Sequence, residues 1–395
     1  MVRVLLLSHD YQNPERVSFR RVGALVRHLS RLGDHVTVAS AITGPAKGEW
    51  GEEILCLKTR SKTDGPVKSI SDNGGPKQGM FDRSTPFWIA KFLGFAPLRK
   101  AALDADVVMA TYGPAGPAWA AYFLSIVTGR PLVLDFRDVP ESRTRKNWLS
   151  LGVDRLLESI IIRRAAIVFT VGDVLSEYLD DRHPGQKFYA MYNGWSDGDI
   201  EYRDFGGEAE NYLYYAGTVY EHRLQAFSVL CGALASVDVR CKVRLIGNNT
   251  SELRDIARSC GVENKVEILG RADAATVMVE QSKAKAVLVL ESLGVLSGWE
   301  AGTVTGKLIG LIASRRPGLA ICGENSEISR IVRQFPWWRA ASDSQTLSGL
   351  LSVETPAAPK DWSGPLESLR MERQVEKFRG HLLVMLSRQT RREAQ

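Results

Sequence analysis

Short, nearly continuous apolar runs separated by amphipathic stretches organise this chain from its first residues. Apolar runs of about four to eight residues fit strands buried on both faces, and apolar residues recurring at spacings of three and four fit helices. VRVLLLS (2–8) reads as a strand, Ser18 to Arg31 as a helix closed by Gly33, and HVTVAS (35–40) as the next strand. DVVMAT (106–111), a helix after Pro114 and PLVLDF (131–136) repeat the unit, and AAIVFTV (165–171) and KFYAMYNG (187–194) continue it. The pattern restarts with YLYYAG (212–217), a helix from Arg223, CKVRLIG (241–247), a helix from Ser251 and KVEILG (265–270). A helix over Ala274 to Ser282, AVLVLE (286–291), a helix inside TVTGKLIGLIASRRP (303–317) and GLAIC (318–322) complete it. This alternation predicts an α/β chain of two doubly wound, Rossmann-like domains whose strand ends face a shared crevice.

The expected domains are 1–200 and 201–355, with a hinge around Asp197 to Asn211, and a tail over 356–395. The chain is expected to turn irregular beyond Pro336 and to end in an amphipathic helix from Glu367 to about Arg388. Residues 58–86, rich in Lys, Ser, Gly and Pro, read as a mobile basic loop. FWIAKFLGFAPLRKAAL (87–103) interleaves aromatic residues with Lys91, Arg99 and Lys100, a pattern that fits either core packing or a membrane surface.

Composition narrows the class. At 395 residues with 44% hydrophobic and 24% charged residues, the chain reads as a soluble globular enzyme. Five cysteines without C-x-x-C spacing suggest neither a disulfide framework nor a zinc knuckle, and a reducing cytoplasm is expected. The first apolar run is too short for a secretory signal, and Pro114, Gly116 and Pro117 interrupt the uncharged stretch 107–129, so no transmembrane helix is expected. Net charge is +6, concentrated in 58–100, with nine Lys or Arg against three Asp, and from Arg370 onward, with seven against three acidic residues. Such patches suit an anionic partner, such as a lipid surface or a phosphorylated substrate.

Strand ends hold the candidate chemistry. Gly217 ends one strand with Thr218 next and Arg223 a turn later, a place for an anion on backbone N–H groups and a guanidinium. Gly247 and Asn248 end another, where Asn248 can also simply cap a helix. In GTVTGK, Thr305 is a candidate cap, followed by Gly306 and Lys307, and a cation there calls for an offsetting negative group such as a ligand phosphate or Glu300. Together these suggest a diphosphate cradle. In the first half, Asp135, Arg137, Asp138 and Glu141 follow a buried strand and could bind hydroxyls or move a proton, or Arg137 and Asp138 could form a structural pair. No dinucleotide fingerprint, Walker lysine loop, HExxH or GxSxG occurs, and no D-x-D follows a strand end, so no metal is expected.

The ordered segments resemble the GT-B glycosyltransferases, specifically the large family 4-like, retaining, nucleotide-sugar-dependent group, from Val4 to about Ile331. VLLLSHDYQNPE followed by RRVGALVRHLSRLGDHVTVAS is similar to that group's opening strand, acceptor loop and helix, LVLDFRDVPES to its R-D-x-W-P-E-S-like segment, and YNGWSDGD to its N-G-aromatic-D turn. YYAGTVYEHR, VRLIGNNTSELRDIARSCGVENKVEILGR and GKLIGLIASRRPGLAI resemble the donor domain's glycine loop, its middle segment and its K-L-F-E-Y-L-A helix.

The resemblance implies a donor nucleotide-diphosphate sugar on the second domain and a hydroxyl acceptor on the first. It further implies retention without metal or other cofactor, a final helix bracing the first domain, and a place in polysaccharide, glycolipid or glycoconjugate synthesis. It places Gly217, Arg223 and Lys307 on the diphosphate; with the strand-end reading, the expected catalytic residues are Arg223, Lys307 and Asp138, the expected donor-binding residues also include Thr218, Gly247, Asn248, Glu300, Thr305 and Gly306, and His9, Arg20 and Arg137 are expected on the acceptor side. Two positions depart from the resemblance: Thr218 stands where a second arginine is common, and Gly310 where a glutamate binds the ribose, so that Glu291, Glu300 or Glu327 substitutes, the donor is unusual, or the domain has lost activity. A sugar-nucleotide epimerase of the same fold, using His9 or His222, and a non-catalytic homologue stay open. The basic stretches add an expected contact with an anionic inner membrane face; nucleic-acid binding is not expected, because the basic residues form no recognised reader motif.

Overall fold

The structure is a computed structural model that describes residues 1–11, 17–42, 46–57, 80–82, 84–137, 139, 148–197, 209–238, 241–248, 250–293, 296, 298–359 and 364–393. Asp138, Glu141 and most of the basic loop 58–86 lie outside the described residues. The chain divides into two compact units, one of residues 1–193 and 371–395, the other of residues 194–370.

The first unit holds β1 (Arg3–Ser8), α1 (Val17–Arg31), β2 (His35–Ser40), β3 (Glu53–Cys56), α2 (Thr85–Gly94), α3 (Ala96–Asp104), β4 (Val107–Tyr112), α4 (Gly116–Thr128) and β5 (Leu132–Phe136). It continues with α5 (Trp148–Arg164), β6 (Ala165–Thr170), α6 (Asp173–Arg182) and β7 (Phe188–Ala190). The second unit holds β8 (Glu210–Ala216), α7 (Leu224–Ser236), β9 (Lys242–Ile246), α8 (Thr250–Ser259), β10 (Val266–Gly270), α9 (Ala274–Lys283) and β11 (Ala284–Leu290). Then come α10 (Leu308–Ala313), β12 (Gly318–Ile321), α11 (Glu327–Val332), β13 (Trp338–Ala341), α12 (Ser344–Leu351) and α13 (Gly364–Ser368); the last helix, α14 (Met371–Glu393), belongs to the first unit.

Both sheets are parallel throughout, in the orders β3-β2-β1-β4-β5-β6-β7 and β10-β9-β8-β11-β12-β13. The α/β class and the two Rossmann-like sheets expected from the apolar runs are therefore present. In each sheet the order reverses once, between β1 and β4 and between β8 and β11. Central strands such as β4 and β5 are buried at every position, which explains why their sequences carry no polar alternation.

In the first unit the core of β1, β2, β4 and α1 extends onto α14 through Met371, Val375, Phe378 and Leu382. That spacing is one helix face, and the Phe378 ring lies 4.5 Å from that of Phe169. Arg379 adds an ion pair to the buried Asp34, whose other bond is from the Val2 N–H. The final helix thus braces the first unit, starting at Met371 rather than at Glu367.

The region after Pro336 departs from expectation, because β13 and α12 stand where irregular chain was read. Trp338 is buried at the start of β13, and Asp343 caps α12 by accepting from the Thr346 N–H. Among the described residues, no helix is long and apolar enough to cross a membrane.

Candidate active site

Ligands of open parallel sheets sit outside the carboxyl ends of the strands where the strand order reverses. In the second unit that place lies between the ends of β8 and β11. Gly217 follows β8 with φ 150° and donates its N–H to Ile246 O at 2.8 Å. Gly247 follows β9, and a Cβ there would fall 2.0 Å from Gly217 O. Close backbone approach therefore demands a glycine at 247, and at both positions the bare main chain is left at the strand tips.

Side chains distant in sequence converge on this turn. Lys307 Nζ donates to Ala216 O at 2.9 Å and would lie 3.3 Å from a Cβ at Gly217. Thr218 O accepts from Tyr215 Oη at 3.2 Å and from Arg223 Nη1 at 3.5 Å, while Thr218 Oγ1 accepts from Asn248 Nδ2 at 3.3 Å. Asn248 Oδ1 in turn accepts from Arg271 Nε at 2.6 Å, so Asn248 ties two loops together. The structure thus gathers Gly217, Thr218, Arg223, Gly247, Asn248 and Lys307.

Thr305 does not cap the following helix. The N-cap of α10 is Lys307 itself, without a side-chain bond, and Thr305 contributes only its carbonyl, which accepts from the Leu308 N–H at 3.1 Å. The helix is six residues long because Arg315 at φ 59° turns the chain toward β12. Gly306 is exposed, and Glu300 is half-buried in a short 3-10 turn, Gly298–Glu300. A Cβ at Gly310 would meet no atom within 4 Å, so the missing carboxylate is not excluded by packing.

Arg223 is not a bare cation. Its Nε and Nη2 donate to Glu291 Oε1 and Oε2 at 3.0 and 2.7 Å, and His222 Nε2 lies 3.3 Å from Oε1. Glu291 follows β11 and is 2% exposed. Burial alone would raise its pKa, but hydrogen bonds from His222 and Arg223, with the guanidinium charge, outweigh burial and hold the carboxyl below its ordinary value. Glu291 is thereby committed to these two side chains and is no substitute for the ribose-binding glutamate. Glu327 is fully buried at the start of α11 and does not reach solvent either. Burial also pushes the Cys322 thiol, near Glu291, up to about 11, which removes it as a nucleophile.

In the first unit the corresponding reversal lies between β1 and β4. His9 follows β1, and its Nδ1 accepts from Trp88 Nε1 at 2.9 Å, which places the proton of a neutral ring on Nε2. Arg137 follows β5 and donates from Nη2 to Gly113 O at 2.7 Å, beside the end of β4. Arg20 is exposed on α1. Its neighbour Arg21 points inward, paired with Asp135 at 2.7 Å and donating also to Met191 O and Asn193 Oδ1. Asp135 and Arg21 are thus a buried structural pair. The start of α4 is filled by the chain itself, since Asp82 Oδ2 accepts from the Ala115 N–H and Ser84 Oγ from the Gly116 N–H. Among the described residues, no group of three or more His, Cys, Asp or Glu side chains is arranged to hold a metal ion.

Residues 19–187, from α1 to the edge of β7, match the glycosyl transferase 4-like domain. The chain carries a glycosyltransferase domain. Solved structures extend the likeness over the whole length. Sucrose-phosphate synthase from Thermosynechococcus elongatus is 12% identical with a TM-score of 0.62, covering 100% of this chain and 99% of that one. A glycosyltransferase from Rickettsia africae is 12% identical with a TM-score of 0.59, covering 99% and 97%. Anabaena HepE, in complex with UDP and glucose, is 13% identical with a TM-score of 0.54, covering 100% of both chains. At these identities the likeness is one of fold, and that fold is GT-B. No curated protein matches the sequence of this chain.

Proposed function

We propose that this glycosyltransferase moves a sugar from a nucleoside-diphosphate sugar, bound at the β8–β11 end of the second unit, to a hydroxyl acceptor on the first. The observation that carries the reading is the placement of Lys307 Nζ against the bare Gly217 turn. In the reaction the bond from the anomeric carbon to the diphosphate oxygen breaks, and the electron pair leaves with the diphosphate. The acceptor oxygen bonds to the anomeric carbon, and the acceptor's proton passes to a base or to the leaving phosphate. A cation held beside the departing phosphate stabilises charge that grows only as that bond breaks, which lowers the barrier. Neither a metal nor another cofactor has a part in this reading, and the resemblance in sequence supports retention.

HepE was solved with UDP and glucose on the same fold, so UDP-sugars are the first donors to try. A thermal-shift panel of UDP-, GDP- and dTDP-sugars, with a CMP-sugar as the monophosphate control, is expected to show one diphosphate donor class raising the melting temperature, because only a ligand that prefers the folded state does so. If none does, the donor reading fails.

The basic stretch 84–100, the tail and the exposed apolar side chains Leu93, Leu103, Ile126 and Val127 support contact with an anionic membrane surface and a lipid-linked acceptor. Cosedimentation with phosphatidylglycerol vesicles but not with phosphatidylcholine vesicles is the expected result. Equal pelleting with both, or with neither, contradicts the contact.

A further inference from the structure

The donor cradle holds fewer fixed charges than its residue list suggests. Arg223 is bonded through two nitrogens to the buried Glu291, and that pair is neutral as a unit. Thr218 supplies no charge where the family resemblance places an arginine. Of the residues matched to the diphosphate, that leaves Lys307 as the cation not held by a described carboxylate pair, against a doubly negative diphosphate whose departure as a nucleoside diphosphate adds further negative charge.

A second proton-binding group is already in place. His222 Nε2 lies 3.3 Å from Glu291 Oε1, and its side chain is 53% exposed. Its ring is stacked on Tyr220, with centroids 5.7 Å apart and planes 7° from parallel, so the imidazole has one orientation rather than many. Tyr220 also lies 5.3 Å from the Arg223 guanidinium carbon, so aromatic and cationic groups form one block at the mouth of the Gly217 turn. The ring's anchored edge faces Glu291, and about half of the side chain is exposed.

We propose that His222 is the second cation of the donor site, taking up a proton when the sugar-nucleotide diphosphate binds. The assignment rests on the donor reading above. Around the imidazole, Glu291 at the end of β11 favours the proton, whereas Arg223 next in the chain and Lys307 across the Gly217 turn oppose it. Tyr220 stacks on the ring and the exposed Glu221 is its chain neighbour; Tyr215 of β8 and Cys322 after β12 complete the ionisable surroundings of the Arg223–Glu291 pair. A bound diphosphate adds negative charge on the exposed side of the ring and favours imidazolium, and the Glu291 carboxylate 3.3 Å away keeps the charged ring in position.

The test is calorimetric titration with UDP-glucose, GDP-mannose and dTDP-glucose, whose diphosphates stay fully ionised from pH 6 to 8.5. Each titration is run in two buffers of different ionisation heat. With the donor that binds, the native protein is expected to take up a substantial fraction of a proton near neutral pH, and affinity should fall about 10-fold between pH 6 and pH 8. His222→Gln, at a half-exposed position, is expected to fold normally, to take up no proton and to bind with the same affinity across that range. Binding without proton uptake in the native protein, or unchanged uptake in His222→Gln, overturns the assignment while leaving the donor reading intact. Failure of all three sugar nucleotides to bind overturns both.

Discussion

Replacing Lys307 with alanine is expected to slow sugar transfer by roughly 10²–10³-fold, the loss seen when one group stabilising developing charge is removed from a reacting centre. The ammonium is exposed and sits at the cap of a six-residue helix, so the variant should fold and melt like the parent. Its effect should fall mainly on kcat rather than KM, because the charge on the departing diphosphate grows as the bond breaks. Arg223→Ala is a less clean probe. It removes the guanidinium that answers the buried Glu291 carboxylate, and a loss of activity would mix with a loss of stability. Equal kcat in Lys307→Ala and the parent would remove Lys307 from the leaving group and with it the reading of the Gly217 turn.

Asp135→Ala should produce the largest change in stability. Arg21 and Asp135 are 3% and 1% exposed, and removing the carboxylate strands a guanidinium among apolar strands with only Met191 O and Asn193 Oδ1 as partners. Breaking a buried pair in this way costs about 3–5 kcal/mol. For a unit of this size that corresponds to a fall of roughly 6–20 °C in the melting transition of the first unit. Two units can melt in two steps, so calorimetry is the suitable measurement, with the second unit's transition expected to stay in place. Arg3→Ala breaks the exposed pair with Asp106 and should leave both transitions nearly unchanged. Similar shifts for the two variants would contradict the structural role assigned to Asp135.

The sheets could be read from the sequence because a strand covered on both faces has to be apolar at each position. VLLL in β1, VVMA in β4 and LVL in β5 say so without reference to anything distant. Strands β3 and β13 were not legible. Each is four residues long and lies at a sheet edge, where one side of the strand is left uncovered and the apolar signal is diluted. The short connection from the GKLIGLIA helix to β12 turns on Arg315 at φ 59°.

The glycines and Lys307 of the cradle were visible as strand-end and helix-start residues, but their partnership was not. Lys307 meets Ala216 across 91 residues, and Arg223 meets Glu291 across 68. No local spacing encodes either contact. That is why Arg223 reads in sequence as a cation for the ligand, while in the fold its charge is already answered. The same reasoning explains Arg20 and Arg21, adjacent on α1. Their chemistry is identical, and only the turn of the helix decides that one is exposed and the other is bonded to Asp135.

The most direct test of the donor cradle is release of nucleoside diphosphate from the stabilising sugar nucleotide, followed with the native protein and with Lys307→Ala. The account predicts slow release by the native protein with water as acceptor, faster release with a suitable hydroxyl acceptor, and a loss of roughly 10²–10³-fold in the variant. Binding of every sugar nucleotide without release, or release that is indifferent to Lys307, would contradict it.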